Sequence, residues 1–326
     1  MEQKCKHKIA LLIGSSAALL LIALVCFALF LNPQRTYTIT ETYRIDSALG
    51  SDTYLNVCLP VSGGYQEVTD MRVEGVKDYS VANYDGWSEL TARVPSNGTE
   101  TLVTISYSVK LTRNALAWEG DVFDAYIQPQ QYVDSNNNAV IRQAEQLRGN
   151  SDYETARNTL SYVHKTMRSP SDNQEDTVQL PASELLESPV GVCYDNAILM
   201  TALLRANGIP TRVISGLVLE IPLGNEGDWS HPGGAHAWVE FYADGRWHFA
   251  DPTWGIFEKS DTEHLSYGTY ETYVNSAFQQ DRYQAIEKSG YHLNGAMSAP
   301  LMFTLYSTDE SATIIPRAHV DYSWFW

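Results

Sequence analysis

Cys193 is the residue whose surroundings best suit a nucleophile. It follows the loop-forming Pro189 and Gly191, and apolar residues then recur at helical spacing until Gly208. The sequence therefore predicts a helix that begins at Cys193. The positive end of the helix dipole stabilises a thiolate, so this cysteine is well placed to attack a carbonyl carbon.

A catalytic thiolate needs a base and a group that orients the base. His236 opens a strand-like run, and after a turn at 243–245 the next strand-like run ends at Asp251. In an antiparallel hairpin the start of the first strand lies beside the end of the second, so His236 and Asp251 are expected to meet. We predict Cys193 as the nucleophile, His236 as the general base and acid, and Asp251 as the residue that orients the imidazole.

These three residues also have simpler explanations. A lone cysteine is often buried and inert, and an aspartate before proline often only begins a turn. His236 could join His231 and His248 in a zinc site, but their spacing matches no usual ligand pattern. The order of the three residues and their surroundings favour catalysis, and the sequence implies no cofactor and no metal.

The other cysteines predict no reactive site. Cys58 lies in a strand-like run and is interpreted as a small buried hydrophobic residue, whereas Cys5 and Cys26 lie in or before the hydrophobic N-terminal segment. A disulfide between Cys58 and Cys193 is possible in an oxidising compartment, but it would consume the thiol on which the mechanism depends.

Three segments resemble the three blocks of the transglutaminase-like superfamily, and they occur in the same order. They are Gly191-Val-Cys with its helix and Arg205-Ala-Asn-Gly-Ile-Pro-Thr-Arg, then His236-Ala-Trp-Val-Glu, and finally Asp251-Pro-Thr-Trp. The resemblance covers roughly residues 120–260, extends weakly over the strand-rich region before them and says little about residues 261–326. It implies a papain-like fold in which Cys193, His236 and Asp251 form the catalytic triad.

The resemblance implies acyl transfer on a protein or peptide substrate. Capture of a thioester by an amine gives cross-linking, and capture by water gives deamidation or hydrolysis. The backbone N–H of Cys193 is one expected oxyanion donor, and the sequence identifies no second one. A cysteine peptidase on the same fold and a catalytically silent membrane-tethered binding module are the alternatives.

Two features depart from the family pattern. Val192 stands where many relatives carry an acidic residue, and a glycine-rich insert at 222–234 precedes His236. Neither removes a member of the triad. The insert is either a mobile flap over the site or a tolerated surface loop.

Residues 9–31 contain no charged side chain and are long enough to cross a bilayer. Lys4, Lys6 and Lys8 precede this segment, whereas Arg35 alone lies close behind it, so the positive-inside rule places residues 1–8 in the cytoplasm. A cleaved signal peptide would need a shorter apolar core and small residues at the cleavage site. We therefore predict a single-pass cell-membrane protein whose catalytic domain lies outside the cytoplasm.

The remaining pattern predicts an α+β fold. Residues 36–112 alternate in polarity and predict a small antiparallel β-sandwich that precedes a papain-like transglutaminase core at 120–260. Helical spacing recurs at 139–148 and 153–167. Residues 261–326 form a tyrosine-rich extension whose role the pattern leaves open.

The overall charge excludes one class of partner. The chain carries 22 Lys and Arg against 39 Asp and Glu, for a net charge of −17. Nucleic-acid binding needs a basic stripe along the phosphates, and none follows residue 35. The expected partners are therefore a protein or peptide substrate and the membrane.

Overall fold

The structure, a computed structural model, describes residues 34–84, 87–113, 124–170, 179–219, 227–228, 234–258, 260–269, 284–295 and 303–323. The predicted membrane segment 9–31 and most of the insert 222–234 lie outside these ranges. Within them, no helix combines the length and the apolar character that crossing a membrane requires.

The strands and helices follow one another in an order that places the helices between two groups of strands. The strands are β1 (Gln34–Asp46), β2 (Thr53–Leu59), β3 (Gln66–Glu74), β4 (Asp78–Tyr84), β5 (Trp87–Val94), β6 (Thr101–Thr112), β7 (Thr211–Val218), β8 (Gly227–Asp228), β9 (Ala235–Ala243), β10 (Arg246–Asp251), β11 (Ile256–Phe257), β12 (His264–Thr269), β13 (His292–Gly295), β14 (Phe303–Ser307) and β15 (Thr313–Ser323). The helices are α1 (Asn138–Leu147), α2 (Asp152–Thr166), α3 (Ala182–Glu187) and α4 (Cys193–Ala206).

The described strands form three five-stranded sheets. One has the order β3-β6-β1-β15-β8, another the order β13-β14-β2-β5-β4. The third, β11-β10-β9-β7-β12, contains the predicted hairpin, and we refer to it as the hairpin sheet. Its strand pairs are antiparallel, so the mixed α and β fold with antiparallel sheets that the sequence predicts is confirmed.

The C-terminal extension completes the sheets that the N-terminal strands begin. Strand β1 pairs with β15 from Thr36 opposite Ser323 to Asp46 opposite Thr313, and β2 pairs with β14. Strand β12 lies at the edge of the hairpin sheet beside β7. The extension, whose role the sequence left open, therefore contributes strands to all three sheets.

The alternating pattern of β1 shows why this region forms strands. Tyr37, Ile39, Tyr43 and Ile45 are fully buried, whereas the residues between them are mostly partly or fully exposed. Burying a large apolar side chain contributes about 1.5–3 kcal/mol, so one face of this strand is strongly favoured to point inward. Cys58 belongs to the same core and is 1% exposed, and neither it nor Cys193 is in a disulfide.

The hairpin sheet separates two hydrophobic cores. Along β9, Trp238 packs into the core shared with the other sheets, while Val239 and Phe241 pack into the core beneath the helices. Helix α4 lies across this second face and is buried along almost its whole length. The sheet is thus covered on both faces.

A buried ion pair crosses the hairpin sheet. Arg212 on β7 contacts the Glu240 carboxylate on β9 at 2.6 Å, and both side chains are almost completely buried. The Arg212 guanidinium also lies 3.9 Å from the ring centroid of Trp247. Removing one partner of an ion pair buried in this way strongly destabilises the folded protein.

Replacing Arg212 by Met is expected to lower the free energy of unfolding by about 3–5 kcal/mol, because Glu240 would keep a buried charge without this cation. The matched control is Arg246→Met, which removes a partly exposed ion pair with Glu258 and is expected to cost less than about 1 kcal/mol. Urea unfolding of both variants measures the difference. If both variants lost the same free energy of unfolding, burial would not be the reason for the large effect expected at Arg212.

Candidate active site

Cys193 lies in the first turn of α4, as the sequence predicts. The backbone N–H of Val192 donates to the Asp195 carboxylate at 2.8 Å, and this bond closes the first turn of the helix. Burial raises the pKa of Asp195, although its backbone hydrogen bonds act in the opposite direction. Helix α4 ends before Gly208, whose φ of 80° is the left-handed conformation typical of a helix C-terminus.

The hairpin sheet brings His236 and Asp251 together. Asp244 and Gly245 both have positive φ, which makes a two-residue turn that joins β9 to β10. His236 Nε2 lies 2.9 Å from Asp251 Oδ2 at the other end of the hairpin. The geometry that antiparallel pairing implied for these two residues is therefore present.

Cys193 and Asp251 act on the same imidazole. Burial lowers the pKa of His236, but the interactions of the ring with the Asp251 carboxylate and with Cys193 outweigh it and raise the pKa to about 9. Because Nε2 faces Asp251, Nδ1 is the nitrogen left for the thiol. His236 is thus favoured as an imidazolium, the form that can donate a proton.

Two tryptophans enclose the His236 ring. Trp254 stacks on it at 4.7 Å between ring centroids with 21° between the planes, and Trp238 lies 6.1 Å away at 28°. An indole face attracts a cation, so both rings favour the charged imidazole. Trp254 remains 43% exposed and therefore forms a wall of the site that solvent and substrate can reach.

The Asp251 carboxylate accepts four hydrogen bonds although it is completely buried. Its Oδ1 accepts from the backbone amides of Thr253 and Trp254, at 2.7 and 3.2 Å. Its Oδ2 faces His236 and also His264 Nε2, the latter at 3.3 Å. Burial by itself would raise the pKa of Asp251, but these bonds hold it well below its usual range.

Helices α2 and α4 hold the turn that follows Asp251. His164 Nδ1 lies 3.2 Å from the carbonyl oxygens of both Pro252 and Thr253. The Asn196 side-chain amide donates to the Thr253 hydroxyl at 3.1 Å. Since Asn196 is three residues from Cys193 on the same helix, the nucleophile and the aspartate are tied to one another.

His264 and Asp261 belong to this cluster, although they are not among the residues predicted from the sequence. His264 Nδ1 lies 2.8 Å from Asp261 Oδ2, and the Asp261 carboxylate also accepts from the amides of Glu263 and His264. The spacing Asp-x-x-His before a strand was the available signal. This spacing did not place the two residues in the site, because no pattern in the sequence places β12 next to β7.

The cluster also contains the atoms that a metal ion would need. One ligand atom each from His236, Asp251 and His264 lie within 4.8 Å of one another. Metal ligation requires unprotonated imidazole nitrogens, whereas both of these nitrogens face the same carboxylate oxygen, which as an ionised group can only accept a hydrogen bond from a protonated ring nitrogen. The arrangement fits a hydrogen-bonded relay better than a metal centre. Of the other histidines weighed for zinc, His248 contacts Glu258 instead and His231 lies outside the described residues.

Comparisons with known proteins identify the family of this domain and a shared fold. Residues 141–252 match the family model of the transglutaminase-like superfamily, so the chain contains a transglutaminase-like domain that includes Cys193, His236 and Asp251. A protein from Cytophaga hutchinsonii, described as a candidate cysteine protease, superposes with a TM-score of 0.56 at 15% identity, over 90% of this chain and 92% of that one. The two proteins share a fold that extends beyond the family match.

A second solved structure overlaps less. The periplasmic domain of TgpA from Pseudomonas aeruginosa gives a TM-score of 0.37 at 16% identity, over 67% of this chain and 88% of that one. A comparison with curated protein sequences gave no match.

The stability of the protein is expected to fall as the pH rises from about 6.5 to 9. The His236 pKa is raised on folding, so its contribution is complete below the unfolded pKa and is lost as the pH passes the folded value of about 9. The loss is on the order of 3 kcal/mol. Asp251→Asn removes the carboxylate that contributes most to raising this pKa, so the unfolding free energy of the variant is expected to change less than that of the wild type over the same range. A wild-type profile as flat as that of the variant in urea unfolding would contradict the assignment.

Proposed function

We propose that the chain is a membrane-anchored thiol enzyme that transfers acyl groups from carboxamide or peptide substrates. Cys193 is the nucleophile, His236 the general base and acid, and Asp251 the orienting residue. The observation that carries the proposal is the contact of His236 Nε2 with the Asp251 carboxylate at 2.9 Å, on an imidazole whose pKa Asp251 and Cys193 both raise. The transglutaminase-like match over residues 141–252 supports it.

The first half-reaction forms a thioester. The Cys193 sulfur attacks the substrate carbonyl carbon, and a bond from sulfur to carbon forms while the carbonyl becomes an oxyanion. His236 then gives its proton to the leaving ammonia or amine, and the bond from carbon to nitrogen breaks. Asp251 keeps the ring oriented and stabilises its charge throughout this step.

The second half-reaction decides the product. An incoming amine or water loses its proton to His236 as it attacks the thioester, and Cys193 leaves as the thiolate. An amine acceptor gives a cross-link, and water gives deamidation or hydrolysis. The backbone N–H of Cys193, in the first turn of α4, is suited to hold the oxyanion, because the first amides of a helix have no intrahelical partner.

Peptide hydrolysis is the second candidate reaction. The same triad would carry it, and the shared fold with the candidate cysteine protease from Cytophaga hutchinsonii favours it. The two reactions differ in the groove that selects the acyl donor and in the acceptor.

The reaction is tested by incubating the full chain with a glutamine-bearing protein and a labelled primary amine. We expect amine incorporation that mass spectrometry detects and that Cys193→Ala lowers at least about a thousandfold, because the nucleophile is removed. Cys58→Ala is the matched control, since Cys58 is buried and should leave incorporation near the wild-type rate. Cysteine-dependent cleavage would instead identify a peptidase. If neither product forms and iodoacetamide does not modify Cys193, the binding module is the function that remains.

The membrane location rests on the charge asymmetry around residues 9–31. We expect the full chain to stay with the membrane fraction during alkaline extraction, because a spanning segment is anchored in the lipid itself. Deletion of residues 1–31 is expected to release the protein. A full chain that alkaline extraction releases would contradict the anchor.

A further inference from the structure

We propose that His264 is a positioning residue that acts on the reaction through Asp251 as a permanently charged imidazolium. The relay would then run from Cys193 through His236 and Asp251 to His264, and would end at Asp261. This inference rests on the proposed function, because it takes His236 as the general base and acid.

The hydrogen-bond partners of His264 require both of its ring nitrogens to be protonated. Nδ1 faces the Asp261 carboxylate at 2.8 Å and Nε2 faces the Asp251 carboxylate at 3.3 Å. Ionised carboxylates only accept hydrogen bonds, and a neutral imidazole has one N–H, so one of the two contacts would set a lone pair against a carboxylate. His264 has no exposed surface, so bulk solvent does not reach the ring to supply the missing donor.

Asp261 is held in place independently of the histidine. Its Oδ1 accepts from the backbone amides of Glu263 at 2.7 Å and His264 at 2.9 Å, which leaves Oδ2 for the ring. Burial raises the pKa of Asp261, but the bonds from His264 and from the backbone lower it overall. Asp261 therefore provides a fixed negative charge that keeps the imidazolium protonated.

The charged and titratable groups that face His264 come from three elements. They are Asp251 on β10, Asp261 in the segment before β12, and His236 on β9. The remaining ring neighbours are the uncharged aromatic side chains of Trp238, Phe249 and Trp254. The nearest charge besides the two carboxylates is thus the imidazole of His236, whose centroid lies 5.3 Å away.

This geometry gives His264 two effects on the reaction. It donates to the oxygen of Asp251 that also binds His236, so it fixes the position of that oxygen. Its positive charge also offsets part of the negative charge of Asp251. His264 therefore limits the basicity of His236 and keeps the imidazolium able to release its proton to the leaving amine.

Replacing His264 by Gln tests the charge. Glutamine can still donate one hydrogen bond to Asp251, but it carries no charge. We expect the alkaline limb of the pH profile of kcat/KM, which reports deprotonation of His236, to move upward by about one pH unit, since a unit charge about 5 Å away interacts strongly inside a protein. A residue that only fills space would lower the rate without moving this limb.

His248→Gln is the matched control. His248 is also a buried histidine of the hairpin sheet, it also faces a carboxylate, that of Glu258, and it stacks on Phe241. The chemical change is therefore the same, but His248 contacts neither Asp251 nor His236 in the described hydrogen bonds. We expect the alkaline limb of the pH profile of His248→Gln to coincide with that of the wild type.

A substrate-free readout separates this proposal from the proposed function. The rate at which iodoacetamide alkylates Cys193, followed site-specifically by mass spectrometry of the full chain, has an upper step where His236 loses its proton. If His264→Gln moves this step upward in a protein that shows no acyl transfer, the role of His264 stands and the proposed function fails. If acyl transfer occurs and neither the step nor the alkaline limb moves, the role of His264 is refuted.

A wild-type measurement covers the case in which His264→Gln does not fold. In nitrogen-15 spectra of the histidine-labelled full chain, His264 is identified by its contacts with the rings of Phe249 and Trp254. We expect both of its ring nitrogens to carry protons from neutral pH to beyond pH 8. One unprotonated nitrogen at neutral pH would overturn the proposal.

Discussion

The fully buried carboxylate of Asp251 is the constraint on which the site depends. A negative charge without solvent is stable only when hydrogen bonds and positive charge surround it. The two backbone amides on Oδ1 determine the shape of the turn that follows, and that turn carries Trp254 over His236. The two imidazoles on Oδ2 determine where His236 and His264 lie. One carboxylate therefore organises the aromatic wall, the base and the second histidine together.

The β-rich part of the chain contributes to this site although it supplies no triad residue. The buried carboxylate of Glu41 on β1 accepts hydrogen bonds from Tyr43, Tyr107 and Tyr267. Burial raises the pKa of Glu41 although these hydroxyls act to lower it. Tyr267 lies on β12, the strand that begins with His264. The strands from both ends of the chain thus hold the edge of the hairpin sheet to which the relay belongs.

The close approach of strands near the site explains why position 216 is a glycine. Gly216 on β7 pairs with His236, and a Cβ atom there would lie 2.0 Å from the backbone oxygen of Leu265 and 2.6 Å from the Trp238 ring. The absence of a side chain lets Trp238 pack against both β7 and the ring of His264. Packing in the core and the electrostatics of the site are therefore set by the same few contacts.

The sequence by itself determined the local elements that carry the chemistry. Pro189, Gly191 and Gly208 delimit the helix that begins at Cys193, because such residues interrupt helices wherever they occur. The turn at Asp244 and Gly245 determined the hairpin register, and antiparallel pairing then required that His236 meet Asp251. The membrane segment follows in the same way from a run of apolar residues, and it remains a prediction.

Only the tertiary structure decided which distant segments complete the site. His264 and Asp261 lie beyond the three segments that resemble the family, and their part in the cluster follows from the pairing of β12 with β7. Strands β14 and β15 likewise pair with β2 and β1 across more than two hundred residues. Local patterns encode the period and the ends of an element, whereas the choice of its neighbour depends on the burial of whole faces. That choice is a property of the assembled core, and it determined which charges surround Asp251.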